Sequence, residues 1–206
     1  MRLLLGPARI AALGGLLALA GCVTAENSLS QSDIASLRLT GVAVSFAPDA
    51  RLQWEEGVRA YANSKSLMDD QMMAASETPE GRAYIQAMLG PRIKTGLEQT
   101  LTSQIAGTRP VRLEITVKNF IMASAAQRVI IGGGRGMIAD ATLVDARSGK
   151  VLIAYPALSA ILATGQGIVG TMVQAAIDSG AAQSPTEKVI VHYGEVYRNW
   201  LLKERA

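Results

Sequence analysis

Val111-Arg-Leu-Glu-Ile-Thr-Val-Lys118 alternates apolar and polar residues without a break. Val111, Leu113, Ile115 and Val117 share one side, while Arg112, Glu114, Thr116 and Lys118 share the other. A period of two identifies a strand. One buried face and one wetted face identify a sheet covered on a single side. Downstream, Met137 to Ala146 and Val151 to Tyr155 flank the turn Arg147-Ser-Gly-Lys150, which reads as a hairpin. The short apolar run Gln127 to Ile131 is a further candidate strand. Upstream, Leu37 to Phe46 forms the first strand. Val42, Val44 and Phe46 alternate in it, Gly41 marks a bulge, and Pro48 ends it.

Helical spacing fills the rest. Trp54, Val58, Tyr61, Met68 and Met72 predict a helix within Leu52 to Ala75, with its methionines filling the core. Thr78-Pro79 starts another, with Thr78 as cap and Pro79 in the first turn. It carries Tyr84, Ile85, Met88 and Leu89, and Gly90-Pro91 is expected to break or kink it. A second run places Ile93, Leu97, Leu101 and Ile105 four residues apart. A helix is also expected from Gly167 to Gly180. Ser184-Pro-Thr-Glu187 is a capping box that opens the last helix, which runs toward Glu204. The order predicts an α+β fold: a four- or five-stranded antiparallel or mixed sheet with helices packed mainly on one face.

The amino terminus carries an address. Met1-Arg2 and Arg9 precede the apolar stretch Ile10 to Leu19, and Leu19-Ala20-Gly21-Cys22 follows. Basic start, short apolar core and small exit residues describe an export signal. The core is shorter than the ~20 residues that span a bilayer. Leu19-Ala20-Gly21-Cys22 resembles the lipobox of bacterial lipoproteins. That resemblance implies that residues 1–21 are a signal peptide, that Cys22 is lipidated, and that acyl chains hold the chain to a membrane. Val23 stands where many such proteins carry the aspartate of inner-membrane retention, so the resemblance points to the outer membrane, facing the periplasm. Residues 22–36 are then a small, polar tether and residues 37–206 a single domain.

Composition narrows the function. The chain has 20 Lys and Arg against 17 Asp and Glu. Two of those cations, Arg2 and Arg9, lie in the signal, so the remainder is close to neutral. Aromatic residues are sparse and no arginine-rich block occurs, which speaks against nucleic acid as a partner. Cys22 is the one cysteine and His192 the one histidine. No disulfide follows from that supply, and no zinc site is expected.

Several motifs invite chemistry and are weighed against plainer readings. Gly165-Gln-Gly-Ile-Val-Gly170 fits the dinucleotide pattern, but the capping box at Ser184 turns the next apolar run into helix, so no second strand follows. Close packing through small residues is the plainer reading. Ile131-Gly-Gly-Gly-Arg-Gly136 presents backbone N–H groups but lacks the Lys-Ser or Lys-Thr of a phosphate loop. It reads as a connection between strands, with Arg135 the residue to test for an anion. His192 has no nucleophile elbow to serve. Met68-Asp-Asp-Gln-Met-Met73 offers thioethers for soft copper but no His or Cys beside them. Ala163, Gly167, Thr171, Ala175 and Ser179 recur every four residues and permit close helix approach. The stretch Val151 to Ile177 has no charge, yet Pro156 and its glycines make it a poor membrane span, and buried core is the preferred reading.

The lipobox, the strand Leu113 to Phe120, the hairpin Leu143 to Leu152 and the small-residue helix from Gly167 together resemble the small envelope lipoproteins of Gram-negative bacteria. Several of these are accessory parts of envelope machines. The resemblance implies a non-catalytic interaction or assembly protein with an envelope protein partner, and no enzyme, cofactor or metal. The alternative is a carrier of lipid or a small ligand, which requires an apolar cavity. An exposed apolar patch supports the first reading.

Overall fold

The computed structural model describes residues 25–122, 134–162 and 184–204. The lipobox and Cys22, the run 127–131, the glycines 132 and 133, the motif 165–170 and the expected helix 167–180 lie outside them. Along the chain the elements are α1 (Gln31–Ser36), β1 (Leu37–Trp54), α2 (Glu55–Ser64), α3 (Met72–Ser76), α4 (Pro79–Leu101), β2 (Arg109–Met122), β3 (Arg135–Asp145), β4 (Val151–Leu162) and α5 (Pro185–Leu202).

The fold is α+β, as its sequence predicts. Four strands form one mixed sheet in the order β1-β2-β3-β4. β1 and β2 run parallel, and the other neighbours are antiparallel. A parallel pair needs a crossover, and α2, α3 and α4 supply it. Val111, Leu113, Ile115 and Val117 are buried as the alternation demands. Helix α4 packs on β1, α5 packs on β3 and β4, and the two helices pack on each other. Their close approach depends on glycine: a Cβ on Gly96 would lie 2.7 Å from Ile190 Cγ2. The opposite sheet face is polar. Lys118 there pairs with Asp140 at 2.7 Å, and the Ser45 and Thr116 hydroxyls lie 3.1 Å apart.

Several boundaries depart from the sequence reading, and β4, read as ending at Tyr155, runs through Pro156 to Leu162. β1 does not stop at Pro48 but runs to Trp54. Pro48 sits in an irregularity between Phe46 and Arg51 on an edge strand, where no ladder hydrogen bond is lost. The helix expected over Leu52 to Ala75 is instead the end of β1, then α2, then the short α3. Helix α4 continues through Gly90-Pro91 for 23 residues. Beyond the proline, Ile93, Leu97 and Leu101 are fully buried and stay in phase with Ile85 and Leu89. Burying one such side chain stabilises by about 1.5–3 kcal/mol. Three of them outweigh the ~3 kcal/mol that an interior proline costs.

The caps stand where expected. The Thr78 hydroxyl accepts from Gly81 N at 3.1 Å, and Ser184 accepts from Glu187 N at 3.2 Å in a complete capping box. A turn within Ser30 to Ser36 is also present as α1, capped by Ser30. The stretch before it is held by the far end of the chain. Asn27 Nδ2 donates to the carbonyls of Trp200 (3.1 Å) and Leu201 (2.8 Å), and Trp200 Nε1 donates to Ala25 O at 2.6 Å. Residues 25–36, read as part of the tether, are therefore packed against the domain.

Candidate interaction surface

β1 ends at Trp54, and its side chain organises one end of the molecule. The indole is buried, and its N–H donates to Thr186 Oγ1 in the first turn of α5 at 3.0 Å. The Arg92 guanidinium lies 5.2 Å from the indole ring centroid, within cation–π range, and pairs with Glu56 at 2.8 Å. Opposite Trp54 in the sheet is Met122, the last residue of β2. Between them and the helices lies a groove of about 370 Å³ lined by Leu52, Trp54, Val58, Met72, Met73 and Met122.

The methionines depart from the sequence reading. Met72 packs partly against the core, but Met68 and Met73 are each 65% exposed. Asp69, Asp70 and Gln71 interrupt the run and leave no continuous apolar face for a helix to bury. That interruption was the available signal. Asp69 and Asp70 form no ion pair among the described residues, whereas nearby Glu55, Glu77 and Glu80 are matched by Arg59, Arg82 and Lys65. The groove thus has an apolar, thioether-rich floor with Glu55, Arg59 and Glu77 on its walls, and Asp69 and Asp70, exposed and without an ion pair among the described residues, lie in the segment just before Met72.

Other predicted residues are not brought together. Arg135 is buried at the start of β3, away from the solvent in which an anion would be met. His192 lies half-buried on α5, with its nearest carboxylate, Glu195, at 3.9 Å. Two further clefts of about 430 Å³ each occur. One lies between the second half of β1 and the start of α4, with Arg51, Gln53, Arg82 and Gln86 on its walls. Its polar groups are occupied locally: Arg82 pairs with Glu77 at 2.7 Å and Ser76 donates to Met73 O at 2.8 Å. The other is a shallow seam between α4 and α5. Among the described residues there is no group of three His, Cys, Asp or Glu side chains able to hold a metal. No described helix is long and apolar enough to cross a membrane.

The groove and the first described residues, Ala25 to Asn27, lie at opposite ends of α5. Thr186 bonds Trp54 at the groove, while Trp200 and Leu201 hold Ala25 and Asn27. Fourteen helical residues separate Thr186 from Trp200, about 21 Å along the axis of α5 at 1.5 Å each.

A model of the family described as "Family of unknown function (DUF6778)" matches residues 76–206. The chain belongs to that family. The DUF6778 match spans α4, the hairpin and α5 but stops short of β1 and α2, so most of the methionine groove precedes it. Ser76, Glu77 and Met122 are the groove residues inside the match. No curated protein and no solved structure matches the chain.

Proposed function

We propose that this DUF6778 protein is a non-catalytic interaction or assembly protein, tethered to a membrane of the cell envelope through lipid on Cys22. It binds an envelope protein partner through the methionine groove. The observation that carries the reading is the exposure of Met68 and Met73 beside the unmatched Asp69 and Asp70. Thioethers are unbranched and polarisable, and they adapt to apolar side chains of varied shape. The two carboxylates favour a segment that also carries Lys or Arg. The occupant is therefore an amphipathic, basic segment of another protein. The groove also lies at the end of α5 away from Ala25, so a chain anchored just before that residue presents it free of its own tether.

The test is cross-linking in living cells, followed by affinity purification from membranes. Native chain, Cys22→Ala and Met73→Asp are compared. One protein captured in a stable ratio by the native chain, and lost with Met73→Asp while the variant stays folded and membrane-bound, supports the reading. Capture that Met73→Asp leaves unchanged places the partner elsewhere and overturns the groove assignment. A Cys22→Ala chain that still fractionates with membranes overturns the lipid anchor.

A further inference from the structure

β4 is an edge strand of twelve residues, Val151-Leu-Ile-Ala-Tyr-Pro-Ala-Leu-Ser-Ala-Ile-Leu162, and it pairs only with β3 among the described residues. An edge presents a row of N–H and C=O groups, and proteins protect such edges with charges, prolines and bulges. Both edge strands carry a proline and two irregularities, but the opposite edge, β1, also carries the charges Arg38, Asp49 and Arg51. β4 has no charged residue at all, whereas β1, β2 and β3 each have at least three. Val151 and Ile161, at its two ends, are 55% and 63% exposed, and they are two of the four exposed large apolar side chains among the described residues.

We propose that β4 pairs antiparallel with β4 of a second copy of this chain, about a two-fold axis through the Pro156–Ala157 peptide. The irregularity at the centre of the strand fixes this register. Pro156 has no N–H, and the Ala157 N–H is taken by Asp140 Oδ1 at 2.7 Å, so the centre offers no donor to a partner. A regular strand laid there would leave acceptors unmatched. A second copy of the same irregularity asks for no donor.

The irregularity also reverses which side of the strand points inward. Ile153 is buried before it, and Leu158 and Ala160 after it. Residues opposite one another in a sheet must share a face. Only the register centred on the Pro156–Ala157 peptide satisfies that on both arms. Tyr155 then lies opposite Leu158 of the second copy, Ile153 opposite Ala160, and Ala154 opposite Ser159 on the open face. At Leu152, which has no partner in β3, the register steps by one and brings exposed Val151 level with exposed Ile161. The arrangement is isologous, so each contact occurs twice. A two-fold axis normal to the sheet keeps α5 of both copies, and the Ala25 ends packed on them, on one side.

Disulfide trapping in the full-length chain tests the register. Cys22 is the one native cysteine. Directly opposed residues have Cα atoms about 4.5–5.5 Å apart, within disulfide reach. Residues 154 and 159 of one chain are five strand steps apart, about 16 Å, and cannot join. The double variant Ala154→Cys/Ser159→Cys is expected to give a disulfide-linked band at twice the monomer mass after mild oxidation, and each single variant none. A double variant that stays monomeric, or singles that link as readily as the double, overturns the proposal. Charge reversal supplies an independent readout at these two exposed positions. Ala154→Glu/Ser159→Glu sets like charges against each other and should weaken dimerisation several-fold in sedimentation. Ala154→Glu/Ser159→Lys should retain it. Equal sedimentation of the two variants overturns the pairing.

Discussion

Tyr193 and Tyr197 stand one turn apart on α5, both buried, and removal of their hydroxyls should move stability in opposite directions. Tyr193 Oη donates to Ala139 O of β3 at 3.1 Å. Tyr197 Oη has no hydrogen-bond partner among the described residues. Burial pushes both phenols well above their ordinary range, so each stays protonated and its O–H remains a donor. Tyr193→Phe forfeits a hydrogen bond with a net worth of about 0.5–1.5 kcal/mol and leaves a buried strand carbonyl short of a partner. Tyr197→Phe removes a hydroxyl that was desolvated without compensation, a state that costs about 1–3 kcal/mol. The ring and its contacts with Trp200, 5.8 Å between centroids, are unchanged. The expected result is a loss of about 1 kcal/mol for Tyr193→Phe and a gain of about 1 kcal/mol for Tyr197→Phe. For a domain of this size that corresponds to about 2–4 °C in Tm, downward and upward respectively. Urea and thermal unfolding, followed by the fluorescence of Trp54 and Trp200 in a shared Cys22→Ala background, would measure both. If Tyr197→Phe is as destabilising as Tyr193→Phe, the Tyr197 hydroxyl has a partner such as a buried water, and the reasoning fails.

The link between β1 and α5 gives a second test. Thr186→Val strands the buried Trp54 N–H and should cost about 1–3 kcal/mol in urea unfolding. The same change in a Trp54→Phe background should cost much less, and equal costs would show that the bond is not the cause. A third test uses pH. The backbone N–H and hydroxyl of Ser148, with Arg109 and the Arg147 N–H, hold Asp145 down at about 2. A depressed carboxyl stabilises the fold above its unfolded pKa of about 3.9. That contribution should fade as pH falls from about 4 through about 2. The Tm difference between the native chain and Asp145→Asn should close over that window, and a constant difference would show that the Asp145 charge is not involved.

Much of the fold is written in local signals. The alternation from Val111 to Val117, the caps at Thr78 and Ser184 and the turn at Arg147 to Lys150 each depend on neighbours a few residues away. They appear as predicted. The contacts that define the candidate surface are not local. Trp54 meets Thr186 across 132 residues, and Asn27 meets Leu201 across 174. No spacing rule encodes such a pairing. Trp54 also fits a helical pattern with Val58 and Tyr61 as well as it fits the end of a strand. Its true place depends on β2, whose Met122 stands opposite it.

Three prolines show why element ends are harder to read than element cores. Pro48, Pro91 and Pro156 all lie inside regular elements. Each removes a donor, which is a local cost. Whether the chain stops there depends on what the residues beyond it would lose. After Pro91 those residues are Ile93, Leu97 and Leu101, all fully buried. After Pro48 they include Trp54, which closes the core and anchors α5. After Pro156 they include Leu158 and Ala160, which continue the inner face of the sheet once the strand has shifted by one residue. In each case the apolar residues downstream can be buried only if the element continues. Pro110, the second residue of β2, obeys the same rule, because buried Val111, Leu113, Ile115 and Val117 follow it in the strand. Burial of the apolar residues downstream therefore decides whether an element continues through a proline, in the helix at Pro91 as in the strand at Pro110.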